Sequence, residues 1–126
     1  MFNHMFVGTN DIDASRKFYD ATMGVLGHHA FPLPHGTGYA GEGGTFIIAK
    51  PANGEAATCM NGITIGFKAD SYDQVDAWHV AGLGAGGSDL GEPGFRAQSP
   101  GNMYGAYLRD PDGHKICVFT ANVGDR

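Results

Sequence analysis

The sequence predicts an α+β fold built from two tandem βαβββ modules. The chain repeats its own pattern at an offset of 60 residues, since Asp11 matches Ser71 at a helix start and Phe18 matches Trp78 in an apolar helix stripe. In both copies a short alternating segment precedes the helix, and short segments separated by Gly and Pro follow it. A repeat of this kind indicates that one structural unit occurs twice.

Length and composition predict one folded domain. The chain has 126 residues, of which 42% are hydrophobic and 17% charged, so it can bury a substantial core. We expect module 1 in residues 1–50, a linker in 51–60 and module 2 in 61–121. The net charge of −5 argues against a nucleic-acid partner. No apolar stretch predicts membrane association, and we expect a cytoplasmic protein with two free thiols.

The first module opens with an alternating segment over residues 2–9, which predicts a strand with His4 and Phe6 on one face. Asp11 is the predicted N-cap of a helix that runs to about Met23. Three short strands are predicted after it, over residues 28–31, 38–40 and 45–49.

The second module repeats this plan. Residues 63–68 alternate as a strand, and Ser71 with Gln74 predicts a capping box at the start of the second helix. Near the end, residues 104–109 and 115–120 predict two strands. The Asp-Pro-Asp-Gly segment at 110–113 suits a type I turn between them.

These motifs together resemble the vicinal oxygen chelate superfamily, which includes glyoxalase I, bleomycin-resistance proteins and extradiol dioxygenases. The resemblance rests on His-x6-Asp at residues 4–11, Phe18-Tyr19, Tyr-x2-Tyr-x2-Asp-Pro-Asp-Gly at 104–113, and the repeat. It covers His4 to about Thr120. It implies an eight-stranded, incompletely closed barrel-like sheet around a ligand cavity, with helices outside, and a homodimer.

The resemblance also implies four inward positions that hold a divalent metal in metal-using members. When each of these four positions is transferred to this sequence, they fall on His4, Thr64, Cys117 and a position near Ile48 or Phe46. Only His4 is a strong ligand, so we expect no metal cofactor. A divalent metal held by His4 with His35 or Glu42 is the alternative. The other histidines, His79 and His114 among them, are expected to be solvated.

Strand parity predicts an apolar pocket around His4. The predicted lining residues are His4, Phe6, Phe46, Ile48, Thr64, Tyr104, Cys117 and Phe119, with Tyr104 preferred over Tyr107. Phe95 and Arg96 are placed in a loop over the cavity mouth, where Arg96 would either meet an anionic ligand or stay exposed. The opposing interpretation is that these side chains fill a closed core.

The favoured function is binding of a small apolar or aromatic molecule, as in sequestration by bleomycin-resistance proteins. The alternative is a lyase, isomerase or dioxygenase-like enzyme. It would use either an unconventional metal site or metal-free acid–base catalysis by His4, the candidate catalytic residue. A structural remnant without a ligand is the third interpretation.

Overall fold

The computed structural model describes all 126 residues and contains eight strands and two helices in two βαβββ modules. The predicted α+β class and the duplicated element order are confirmed. In chain order the elements are β1 (His4–Gly8), α1 (Ile12–Val25), β2 (Ala30–Leu33), β3 (Gly36–Gly41), β4 (Gly44–Ala49), β5 (Ile65–Lys68), α2 (Tyr72–Gly84), β6 (Ser88–Phe95), β7 (Tyr104–Arg109) and β8 (Lys115–Thr120).

The strands form two four-stranded sheets with the same internal order. Sheet A has the order β1-β4-β3-β2, and sheet B has the order β5-β8-β7-β6. The first strand of each module pairs parallel with the last, and the remaining pairs are antiparallel. No strand of sheet A pairs with a strand of sheet B, so the eight strands do not close into a barrel.

Both helices start where the sequence predicts. The Asp11 carboxylate accepts a hydrogen bond from the Ala14 amide at 3.1 Å, and the Ser71 hydroxyl accepts one from the Gln74 amide at 3.1 Å. These two bonds satisfy backbone donors that the first helical turn leaves unpaired. The Gln74 side chain accepts from the Asp70 amide at 2.6 Å, so the predicted capping box is shifted by one residue from the Ser71 amide.

The two helices pack against each other, and one core joins both modules. Gly82 of α2 permits this approach, because a Cβ there would lie 3.3 Å from Phe18 of α1 and 2.2 Å from Leu108 of sheet B. Buried side chains from the helix-facing sides of both sheets complete the core, including Val7, Tyr39, Ile48, Ala106, Leu108 and Val118. Neither helix is long and apolar enough to cross a lipid bilayer.

Each sheet therefore has a second face that points away from this core, which we call its outward face. On sheet A this face carries His4, Phe6 and Ile47, and on sheet B it carries Lys68, Tyr107 and Phe119. Phe6 is 50% exposed.

Candidate functional site

A cleft of about 670 Å³ opens between the edge strands β1 and β5, where the two modules meet. His4 and Thr64, which occupy matching positions of the repeat, both line it. Its apolar wall includes Met5, Phe46 and Phe67, and its polar lining includes Thr45, His28, Glu42 and Lys68. A largely apolar cleft with a few polar groups is typical of a small-molecule site.

His4 is the exposed imidazole of this cleft. Its Nδ1 lies 2.9 Å from the side-chain amide nitrogen of Asn3. Because an amide nitrogen can only donate, Nδ1 is the acceptor, and the neutral ring carries its proton on Nε2. Nε2 makes no hydrogen bond within the chain, so it can donate one to a ligand.

Phe6 lies on the same strand face as His4 but lines a different cavity. This second cavity, of about 680 Å³, is formed between sheet A and the linker, and its lining includes His35, Lys50 and Glu55. The linker crosses the sheet at Gly8, where a Cβ would lie 3.0 Å from Ala57. His4 and Phe6 thus line two different cavities, and the sequence did not predict that the linker contributes to the one at Phe6.

Phe46 and Ile48 do not share the outward face with His4 and Phe6. The register pairs His4 with Thr45 and Phe6 with Ile47, so Phe46 and Ile48 point to the core. Ile48 is 1% exposed, whereas Phe46 reaches the cleft from the core side and contacts the Phe67 ring at 5.2 Å. Their predicted facing is wrong because a one-residue error in register moves a strand's side chains to the opposite face.

Tyr104 is also on the core side, and Tyr107 takes the outward position. The Tyr104 hydroxyl donates to Asp76 Oδ1 at 2.7 Å, and its ring packs on Tyr72 and on Phe95. The predicted preference for Tyr104 over Tyr107 is therefore wrong. Phe95 is the last residue of β6 rather than a loop residue over a cavity mouth.

Cys117 and Phe119 lie on the outward face of sheet B, as the strand parity predicts, but neither lines the cleft. The Phe119 ring covers Gly105 and contacts Tyr107 edge to face at 5.6 Å. Burial raises the pKa of the Cys117 thiol to about 11. This thiol is therefore neutral at physiological pH.

Four positions hold the ion in metal-using members of the vicinal oxygen chelate superfamily, and the strand register identifies which residue of this chain occupies the fourth. Cys117 pairs with Gly66, and the matching pair in sheet A is Phe6 with Ile47, so the fourth position is Ile47 rather than Ile48 or Phe46. The set is then one imidazole, one hydroxyl, one neutral thiol and one alkyl group. These four residues do not fit a divalent metal, which needs at least three good donors.

A different group of possible metal ligands lies at the turn between β7 and β8, and the sequence analysis missed it. One ligand atom from each of Asp110, Asp112 and His114 lies within 4.8 Å of the others, so this cluster could hold a metal ion. The alternating Asp-x-Asp-x-His spacing is the signal that could have revealed it. The expectation of no metal cofactor is therefore not confirmed, because this turn offers a second group of ligands.

The same turn joins module 2 to the start of α1. Asp112 accepts from the Asn10 amide at 2.9 Å and the Ser15 hydroxyl at 3.2 Å, and His114 Nε2 lies 2.7 Å from the Gly8 carbonyl oxygen. His114 is 6% exposed, so the prediction of a solvated histidine is wrong. His79 is equally buried, with Nε2 2.8 Å from Asp89 Oδ1.

Comparison with known proteins agrees with this architecture. The family model of the glyoxalase/bleomycin resistance protein/dioxygenase superfamily matches residues 1–118, and the chain belongs to this superfamily. The structure of a glyoxalase/bleomycin resistance protein from Albidiferax ferrireducens T118 is similar, with 46% identity and a TM-score of 0.89 over 97% of this chain and 99% of that one.

More distant structures share the fold. A glyoxalase-related enzyme from Fulvimarina pelagi has 20% identity and a TM-score of 0.75 over 95% of this chain and 87% of its own. Lactoylglutathione lyase from Agrobacterium tumefaciens has 21% identity and a TM-score of 0.64 over 95% and 92%. Among curated proteins, none matches this chain.

Proposed function

We propose that this chain binds a small apolar or aromatic molecule in the cleft between β1 and β5, without the metal tetrad of metal-using superfamily members. The observation that carries the proposal is the 670 Å³ cleft itself, in which Phe46 and Phe67 supply an aromatic wall beside the His4 imidazole. The donor set His4, Thr64, Cys117 and Ile47 supports the second half of the proposal, because it lacks three good ligands.

Within this function, His4 acts as a hydrogen-bond donor to the ligand. The Asn3 contact leaves the proton of the neutral ring on Nε2, which suits donation to a carbonyl, hydroxyl or ether oxygen. Acid–base catalysis by His4 is the alternative. It would require Nε2 to accept a proton, and this contact favours the opposite tautomer.

We also propose that the chain works as a homodimer in the cytoplasm. The aromatic ring of Phe6 on the outward face of sheet A is 50% exposed, which supports a second copy that covers part of that face. Two unpaired cysteines support a reducing compartment. Size-exclusion chromatography with light scattering should give twice the chain mass, and cell fractionation tests the location.

The ligand proposal is tested by thermal shift. We expect at least one neutral aromatic compound from a panel containing indole, phenol and catechol to raise the melting temperature, and His4→Ala to reduce that shift. His29→Ala is the matched control, because His29 is exposed and lines neither cavity. Bleomycin tests a cationic ligand in the same assay. No stabilisation by any compound would overturn the proposal.

A further inference from the structure

The outward face of sheet B carries an unusual concentration of positive charge. The chain has only 8 Lys and Arg residues and a net charge of −5. Four of those eight cations lie on this single face or directly over it, namely Lys68, Arg96, Arg109 and Lys115. Half of the Lys and Arg residues of the chain are therefore gathered at one face.

None of these four cations is within salt-bridge distance of a carboxylate. The ion pairs of the chain involve Arg16, His79 and Arg126, all of which lie elsewhere. Lys115 and Arg109 are direct cross-strand partners, an arrangement that destabilises a sheet when both residues carry the same charge. A cluster that is unfavourable in the isolated chain is relieved when an anion binds to it.

An aromatic floor lies at the centre of this cluster. The Arg96 guanidinium lies 5.7 Å and the Lys115 ammonium 5.3 Å from the centroid of the Tyr107 ring, within cation–π range. Phe119 meets the same ring edge to face. Such a surface offers stacking and charge to one ligand.

Arg96 is held in place before any ligand arrives. Its guanidinium donates to the carbonyl oxygens of Gly94 at 3.0 Å and Glu92 at 2.6 Å. It lies over Gly91 and Gly94, where a Cβ would come within 3.2 Å of it. Of the five N–H groups of a guanidinium, three remain free to bind an acceptor. A fixed fork of this kind suits a planar carboxylate or a phosphate.

We infer that the outward face of sheet B recognises an aromatic ligand that carries a carboxylate or phosphate group, with Arg96 and Lys115 binding the anion and Tyr107 and Phe119 contacting the ring. Lys68, which lies on this face and also lines the cleft, makes the two surfaces continuous. The inference rests on the proposed function, because it gives the charge of the small molecule that the chain binds.

The test compares three probes of similar shape by ¹H–¹⁵N NMR titration of the full chain: benzoate, neutral benzamide and cationic benzamidine, with phenyl phosphate to separate carboxylate from phosphate. We expect an anionic probe to shift the amides of Tyr107, Cys117 and Phe119, and added salt to weaken binding. Arg96→Gln and Lys115→Gln should each weaken it by about tenfold or more. Lys17→Gln removes the same charge from an exposed position of α1, and it should leave the dissociation constant unchanged.

Lys115→Gln keeps the test valid if Arg96→Gln disturbs the backbone, because the Lys115 ammonium makes no hydrogen bond in the chain. The inference would be overturned if benzamide bound as tightly as benzoate, or if benzamidine bound more tightly than benzoate. It would also be overturned if Arg96→Gln, Lys115→Gln and Lys17→Gln changed the dissociation constant equally. The proposed function would stand in those cases if a neutral aromatic compound still raised the melting temperature through His4. Failure of every NMR probe would also overturn the inference, and the thermal-shift panel would then decide the proposed function separately.

Discussion

The buried hydroxyl of Tyr19 donates a hydrogen bond of 2.5 Å to the carboxylate of Asp110, which joins α1 of module 1 to the turn between β7 and β8 of module 2. Tyr19 is fully buried and Asp110 is 4% exposed. The remaining Asp110 oxygen accepts from the amides of Asp112 and His114 at 3.0 and 2.9 Å. This buried contact therefore joins the two modules directly.

Tyr19→Phe should therefore lower the free energy of unfolding. The substitution leaves one oxygen of a buried carboxylate without its donor, which typically costs about 1–3 kcal/mol. Tyr39→Phe is the matched control, because its hydroxyl donates to Asp20, whose exposed carboxylate can bind water instead. Urea denaturation of both variants measures the difference. Equal losses would contradict the role of the Tyr19–Asp110 bond.

Asp110 should also make stability depend on pH in an unusual direction. Burial raises the pKa of Asp110, and the hydrogen bond from Tyr19 opposes this rise. The folded chain thus binds a proton at a pH where the unfolded chain, with an ordinary Asp pKa of about 3.9, has released it. The stability that this group contributes is complete below that ordinary pKa and is lost as pH rises through the folded pKa.

Asp110→Asn isolates this effect, because an amide oxygen can still accept from the two backbone amides. We expect the unfolding free energy of the unsubstituted chain, relative to this variant, to decrease as pH rises from about 4 to about 7. Tyr19→Phe should steepen the decrease. A relative stability that increases over the same range would show that the Asp110 pKa is not raised.

Gly82→Ala should destabilise the chain, because the new methyl group would overlap Leu108 and crowd Phe18. Overpacking of this kind typically costs about 1–3 kcal/mol. Gly24→Ala in α1 is the control, since a Cβ there meets nothing within 4 Å. It should stabilise the chain by up to about 1 kcal/mol through higher helix propensity. A neutral Gly82→Ala would mean that α2 lies further from Leu108 and Phe18 than described.

Cys117 should react slowly with thiol reagents. Its pKa of about 11, raised from 9.0 by burial, gives about 100-fold less thiolate at pH 8 than an unshifted thiol. Cys59→Ser and Cys117→Ser provide single-thiol chains for reaction with 5,5′-dithiobis(2-nitrobenzoate). The chain that retains only exposed Cys59 should react at least 100-fold faster. Comparable rates would indicate a thiolate at Cys117, and hence a possible metal ligand.

Local signals carried the successful sequence predictions. The caps at Asp11 and Ser71 depend on neighbouring residues, and they placed the starts of both helices correctly. The facing of Phe46 and Ile48 depends on how β4 pairs with β1, some forty residues earlier in the chain, and a window of neighbouring residues does not contain that register. The choice between Tyr104 and Tyr107 depends on β7 in the same way.

Contacts between modules account for the remaining errors. His114 is adjacent in sequence to a hairpin turn, which favours a solvated side chain, yet it is buried because its turn packs on Gly8 at the end of β1. Phe6 lines a cavity formed with the linker rather than the cleft at His4, and the path of the linker follows from contacts such as Ala57 with Asn10. Neither contact has a signal in the residues on either side of it.

The most direct test of the proposed metal-free binding site is elemental analysis of the purified chain after dialysis, combined with ligand-induced thermal shift in the presence and absence of EDTA. The proposal predicts far less than one transition-metal ion per chain and the same ligand-induced shift with and without chelator. Metal that disappears in Asp112→Asn but not in His4→Ala would assign the ion to the turn and leave the cleft metal-free. A near-stoichiometric metal that is lost in His4→Ala, together with ligand binding abolished by EDTA, would contradict it.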